Sequence, residues 1–541
     1  MSVFRLLRTV SYLKPQQIYG RVYFRLARRS LARGNIPQRR QAQGPWVAPV
    51  GKPVAMPSPT RVRFLGEDGE IATPAQWNDP AREKLWLYNL HYFDDLNAIE
   101  APEREAWHRA LLARWIGENP PGAGNGWEPY PVSLRIVNWI KWALPGRAVD
   151  PAFLESLALQ ARWLAGRTEW HLLGNHLLAN AKALVFAGLF FEGAEAERWL
   201  TLGLEIFRRQ LPEQILPDGG HFERSPMYHA IILEDLLDLL NLGRAAGRAD
   251  IDDTLALTVR IAWMRRWLDA MTLGDGRIAF FNDAAFGIAA SPADLRDYAI
   301  RLALTELPAS AGPMISLQPS GYVRLTAGDA AVVADVAPVG PDYLPGHAHA
   351  DTLSFEFSLG AERVIVNGGT SRYGTGEDRA FERSTAAHST VEIDGENSSE
   401  VWGGFRVGRR ARVRDVSIQN DEDVARVTAS HDGYRWRPGR PVHERSWILQ
   451  RGCLTLIDAI HGRSQSAVAR FHLGPQVTAH LDASARGGAI VLPSGRAMTW
   501  SSSQPARLAA SQWHPEFGVS VATGQIEIPL GEGRLETVFR W

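Results

Sequence analysis

Residues 170–180, WHLLGNHLLAN, place two polar side chains, Asn175 and His176, at the opening of an otherwise apolar helical run. Free N–H groups and the partial positive charge of a helix start favour an anion there. The plainer reading is a cap, with Asn175 bonding the first turn. In residues 219–229, GGHFERSPMYH, Ser225 suits an N-cap and Pro226 suits N1, so Tyr228 falls at N3 of a second helix. A phenol in that field leans toward phenolate, which suits proton transfer; the alternative is a buried tyrosine with a bonded hydroxyl. In residues 343–351, YLPGHAHAD, a strand would point His347, His349 and Asp351 to one side. Two imidazoles so placed suit a base or a metal, against an ordinary hydrogen-bonded turn. Asn367 and His388 follow downstream, and a borderline cation could gather His349, His388 and an oxygen ligand from different strands. In GYRWR (433–437), Arg435 can fork onto a carboxylate while Trp436 stacks on a sugar face, unless the segment is a solvated loop.

These residues lie on two kinds of scaffold. From about 80 to 305 the apolar period is helical. Leu233, Leu236, Leu237 and Leu240 recur on one face, and so do Leu177, Leu178, Ala181, Leu184, Val185 and Leu189. Similar runs lie near 105–117, 132–144, 151–165, 195–210, 253–271 and 292–305, which predicts paired helices wound into a toroid or a solenoid. After about 315 the period becomes two, in short β-branched runs such as TLSFEFSLG and ERVIVNGG separated by Gly, Asn and Asp. The expected fold is thus α+β and multidomain. Residues 1–79 form a basic helical segment and connector, 80–314 a helical domain, and 315–541 an antiparallel β-sandwich, with the boundary near 306–320.

Bulk properties exclude several classes. Over 541 residues, two to four domains' worth, Lys+Arg and Asp+Glu are both 59, so no global field draws nucleic acid. One cysteine, Cys453, excludes an intrachain disulfide and a thiolate-rich zinc site. No run is long and apolar enough to span a bilayer, and the N-terminus lacks a secretory h-region. The expectation is therefore a cytoplasmic protein, with the periplasm as the alternative. Arg5, Arg8, Lys14, Arg21, Arg25, Arg28 and Arg29 make the first segment basic; it either lies on a membrane surface or packs as a solvated helix on the main body. The 19 tryptophans suit sugar stacking or, more simply, helix–helix packing.

Taken in order, GNHLLANAKAL, ERSPMYH, PGHAHAD and AAHSTVEIDG, preceded by LWLYNLHYFDDL and GWEPYPVSLRIVNW, resemble the heparinase II/III family and the related alginate and oligoalginate lyases over roughly residues 80–480. That resemblance implies an (α/α) toroid followed by a β-sandwich, an acidic polysaccharide as substrate and β-elimination at a uronic residue. It places Asn175, with His176 beside it, at the carboxylate neutraliser, and Tyr228 and His347 at the catalytic tyrosine and histidine. Arg135, Glu223, Tyr373, Arg435 and Trp436 are the expected sugar-binding side chains. It also implies a structural zinc on His349, Asn367 and His388. There the chain departs from the pattern, because the middle ligand is usually an aspartate and an amide oxygen binds zinc less well. The motif AHST likewise replaces the more usual AHNT.

In such a reaction the proton at C5 leaves, the C4 oxygen is expelled, and charge building on the carboxylate must be met by hydrogen bonds. Tyr228 serves as both base and acid, or His347 takes the proton and Tyr228 supplies one. No organic cofactor or nucleotide signature is present. Two other classes are consistent with the sequence: a toroid glycoside hydrolase using two of Glu128, Glu223 and Asp283, and a non-catalytic glycan-binding or assembly protein.

Overall fold

The fold is that of a computed structural model, described for residues 3–26, 31, 34–305, 312–421 and 423–541. Arg28, Arg29 and part of the boundary expected near 306–320 lie outside the described residues. Two short helices, α1 (Val3–Val10) and α2 (Pro15–Leu26), precede an extended connector and a small hairpin, Arg61–Phe64 with Glu67–Glu70. The helical domain comprises α3 (Lys84–Tyr92), α4 (Glu105–Glu118), α5 (Pro129–Ala143), α6 (Pro151–Ala165), α7 (Gly174–Phe190), α8 (Ala194–Gln214), α9 (Pro226–Ala245), α10 (Asp250–Leu255), α11 (Leu257–Ala270) and α12 (Pro292–Arg301). The single run expected over 253–271 is divided because Ala256 adopts a left-handed conformation (φ 49°) between α10 and α11.

Helices α3, α5, α7 and α9 pack side by side as an inner layer, and α4, α6, α8 and α10 back them, which is the toroid arrangement. Sequence explains the layering. Every residue of α7 except His176 is buried, so it is apolar all round as an inner helix must be. Outer α8 instead carries charge on its exposed side. Tryptophans fill the domain core: Trp115 and Trp139 pack edge-to-face, and Trp77 stacks on Phe93. Ser225 caps α9 by accepting the Tyr228 N–H at 3.2 Å, with Pro226 at N1, as the sequence predicts.

The second domain is two large antiparallel sheets face to face. In the strand Val442–Gln450 burial alternates, and Trp447 and Leu449 point inward against Phe355, Phe357, Phe471 and Ile526 of the opposite sheet. The two domains share apolar contacts: Trp267 and Met271 of α11 and its C-terminus pack with Tyr322 and Val333, while Trp513 and Phe517 join the helical core. The cleft between them is therefore held by packed walls rather than by a linker. No described helix is long and apolar enough to cross a membrane.

Candidate active site

A cavity of about 720 Å³ opens between the domains, lined on the helical side by residues of α3, α5, α7 and α9 and on the other by His347, Tyr373, Gly374, Phe405 and Phe517. Asn175, His176, Tyr228 and His347 all line it.

Helix α7 begins abruptly. Leu173 (φ 66°) and Gly174 (φ 56°) are both left-handed, and a Cβ on Gly174 would fall 2.3 Å from Leu344 Cδ2 and 2.9 Å from Glu223 Oε1. Only glycine allows α7 to start this close to the β-domain. Asn175 is the second residue of the helix and does not cap it, so its carboxamide is left to face the cavity. The half-buried His176 imidazole lies 3.3 Å from Glu169 Oε1 and against the Tyr130 ring, centroids 4.3 Å apart. Burial works against its charge, but Glu169, helped by Glu223 and Glu128, raises its pKa. Asn180 holds Glu169 in turn, donating to Oε2 at 3.1 Å and accepting the Glu169 N–H at 2.7 Å.

Where the two sides meet, the Tyr228 ring of α9 lies against the His347 ring of the β-domain, centroids 3.9 Å apart, and the Tyr228 and Tyr373 hydroxyls are hydrogen-bonded at 2.8 Å. Burial first, and then each phenol's neighbour, pushes the pKa of Tyr228 well above the ordinary value. The helix-start field that favours phenolate is thus outweighed.

Residues 343–351 do not form a strand. They make a turn whose two histidines share one buried carboxylate: His347 Nδ1 meets Asp283 Oδ2 and His349 Nε2 meets Asp283 Oδ1, both at 2.8 Å. Arg379 clamps the same carboxylate through both guanidinium nitrogens. Burial opposes ionisation of Asp283, but Arg379 and the two histidines hold it well below the usual carboxylate range. An ionised Asp283 requires a proton on His347 Nδ1, which leaves Nε2 as the lone-pair nitrogen. Below that ring, Glu223 Oε2 is 3.6 Å from Nε2; the carboxyl is buried, and desolvation pushes its pKa upward against the nearby His347 and the Asn175 backbone N–H.

The other expected residues divide. Tyr373 lines the cavity; Glu223 lies beneath it, supporting rather than lining. Arg135 is a correction. It is fully buried in the helical core, stacked 3.9 Å over Trp115 and donating to Gln160 and the His91 carbonyl, so it cannot reach a sugar. Arg435 and Trp436 are also corrected. They are exposed on a loop outside the cavity lining, where Trp436 stacks with Arg409. Tyrosines and phenylalanines, not tryptophans, form the aromatic lining among the described residues: Tyr88, Tyr92, Tyr130, Tyr228, Tyr373, Phe405 and Phe517. Sequence reasoning passed over Glu169, Tyr130 and Arg379; the polar Glu169 beside WHLLGNH was the one available signal.

Of the three expected metal ligands, two meet. His349 Nδ1 and His388 Nε2 are 3.1 Å apart. The Asn367 amide is committed elsewhere, donating to Phe280 O and Ser354 Oγ and accepting the Ser389 N–H. Among the described residues no three His, Cys, Asp or Glu side chains converge as a metal set. The donors therefore fall short of the four that a closed structural zinc site uses.

Two family models match the chain: heparinase II/III N-terminus over residues 88–289 and heparinase II/III-like, C-terminal, over 309–541. The FtsZ-localized protein C of Caulobacter vibrioides is 30% identical over 389 residues, 69% of this chain and 63% of that protein. A heparin-sulfate lyase of Pedobacter heparinus is 26% identical over 347 residues, 58% of this chain and 50% of the lyase. The chain thus spans less than two thirds of the length of these curated relatives. Among solved structures, a heparinase III superposes with TM-score 0.69 at 17% identity, covering 88% of this chain and 79% of that one. The heparan sulfate lyase HepC of Pedobacter heparinus gives 0.59 at 17%, covering 89% and 81%. At these identities the likeness is one of fold.

Proposed function

The chain belongs to the heparinase II/III-like family, and from that premise we propose that it is a polysaccharide lyase cleaving a uronate-containing glycan by β-elimination. The observation that carries this is the meeting of Asn175, His176, Tyr228 and His347 in one cavity. The uronate carboxylate sits at the start of α7, where Asn175 donates its amide N–H and His176 its imidazolium N–H as negative charge builds. His347 Nε2 takes the C5 proton, since Nδ1–H is tied to Asp283. The C4–O bond breaks, a C4–C5 double bond forms, and the leaving oxygen takes the Tyr228 hydroxyl proton. Burial keeps that phenol neutral, which makes it a donor at rest and a poor base.

Two finer features follow. Tyr228 and His347 lie ring against ring, so proton and leaving oxygen depart from the same face of the sugar. D-Glucuronate and D-mannuronate have H5 and O4 on one face, whereas iduronate, galacturonate and guluronate do not. The cavity also has no free cation among the described residues. It has no lining arginine, and its lysines are paired: Lys52 with Glu234 at 2.8 Å, Lys182 with Asp235 at 2.6 Å, Lys84 with Glu128 at 2.9 Å, and Lys141 with Asp238. Such a cleft suits a polymer carrying one carboxylate per repeat and few sulfates. The hydrolase alternative is disfavoured. Glu223 and Asp283 are buried outside the lining, and Glu128 is tied to Lys84 and Tyr88.

Replacing Tyr228 with Phe tests the assignment. Turnover should fall by about 10²–10⁴-fold while glycan binding is kept, because only a proton donor is lost. Near-parental production of unsaturated ends would remove Tyr228 from the chemistry. His349 Nε2–H is spent on Asp283 and His388 Nδ1–H on the Ser384 carbonyl, so the two facing nitrogens both carry lone pairs in the neutral rings. We further propose that one added proton shared between them, rather than zinc, bridges the pair. Elemental analysis of protein purified without chelator should then find less than one zinc per chain; a full equivalent would contradict this.

A further inference from the structure

We propose that α1 and α2 form a docking surface for an anionic lipid bilayer. The two helices are amphipathic the wrong way round for a soluble protein. Helix α1 buries no residue and α2 buries only Gln17. The polar side of α1 and the start of α2 face the protein, with Phe24 of α2 set against His171. Arg5 and Arg8 pair with Glu400 at 3.1 and 2.7 Å, Lys14 pairs with Glu213, and Gln17 donates to the Tyr343 carbonyl at 3.1 Å. Their apolar sides face solvent: Val3, Phe4 and Leu7 of α1, and Ile18, Val22 and Leu26 of α2, with Phe4 71% and Leu26 73% exposed. A contiguous apolar face of this kind on an otherwise well-packed molecule marks an interaction site.

Charge selects the occupant. Residues 1–33 carry eight Lys and Arg, and no Asp or Glu occurs before Glu67, although the chain as a whole is neutral. A second copy would bring the same unbalanced positive charge against this one. Anionic lipid supplies both an apolar interior for Phe4, Leu7 and Val22 and headgroup charge for the exposed Arg21 and Arg25 beside them. The pairing of α1 with Glu400, five residues from the cavity-lining Phe405, sets this surface close to the cleft, so glycan would be handled next to the bilayer. The inference does not depend on the lyase reading.

The test is sedimentation of the full chain with phosphatidylcholine vesicles, with and without phosphatidylglycerol. Binding should require phosphatidylglycerol, weaken with salt, and fall by about tenfold or more in a Phe4→Glu/Leu7→Glu variant and in Val22→Glu. Melting temperature and action on soluble glycan should be unchanged in both, since neither touches the cleft. Failure to bind anionic vesicles, equal binding to neutral ones, or parental binding by both variants would overturn the proposal. So would a vesicle-indifferent dimer that the same substitutions dissociate, which would make a second copy the occupant.

Discussion

His176 sets the pH dependence expected of the site. Its pKa is raised because Glu169 and its acidic neighbours outweigh burial. A raised folded value means the His176–Glu169 attraction is full below the ordinary imidazole pKa and is lost as pH rises through the raised one. Uronate affinity should follow the same sign, with KM constant in mild acid and rising on the alkaline side. The rise should be about tenfold, the scale of one hydrogen bond to a charged group. His176→Gln should flatten that limb, and a limb that survives the substitution would assign it to another group. The pair Asn175–His176 was legible in sequence because two polar residues interrupt an apolar helix. Asp283 was legible only as an isolated carboxylate, since the groups it organises, His347, His349 and Arg379, lie 64 to 96 positions away. Arg135 misled for the same reason: the Trp115 ring and the Gln160 amide that bury it are remote in sequence.

At the scale of elements, the start of α7 is the most exposed to test. Gly174 has a positive φ and no room for a methyl group beside Leu344 and Glu223. Gly174→Ala should cost about 1–3 kcal/mol, read as a lower melting temperature, and should also lower kcat by displacing Asn175. An unchanged melting temperature would mean that the two domains do not press on that helix end. Helix starts with strong chemistry, such as Ser225–Pro226, were readable because capping is local. The HAHAD segment was not. Period-two spacing mimics a strand, but here the backbone is fixed by contacts from afar, with the His347 carbonyl accepting the Asp283 N–H and Asn282 Oδ1 accepting the His349 N–H.

For the whole molecule, the order of a helical domain before a β-sandwich was written in the change of apolar period, and the family resemblance supplied the toroid. What the sequence could not supply was the charge state of the cleft. Lys52 of the connector reaches Glu234 of α9, and Lys141 and Lys182 converge on Asp238, pairings that exist only once the toroid closes. Those pairings lead to a weakly charged polymer, and the stacked Tyr228 and His347 lead to same-face elimination. The most direct measurement is digestion of an unsulfated glucuronate polymer in ¹⁸O-enriched water, followed by ultraviolet absorbance and mass spectrometry of the fragments. Elimination at this site predicts fragments that absorb through a new C4–C5 double bond and, once the anomeric oxygen is taken out of exchange by reduction to the alditol during early digestion, carry no solvent oxygen. Fragments that incorporate ¹⁸O without absorbing would mean hydrolysis, and an uncut polymer across glucuronate and mannuronate substrates would contradict the lyase account.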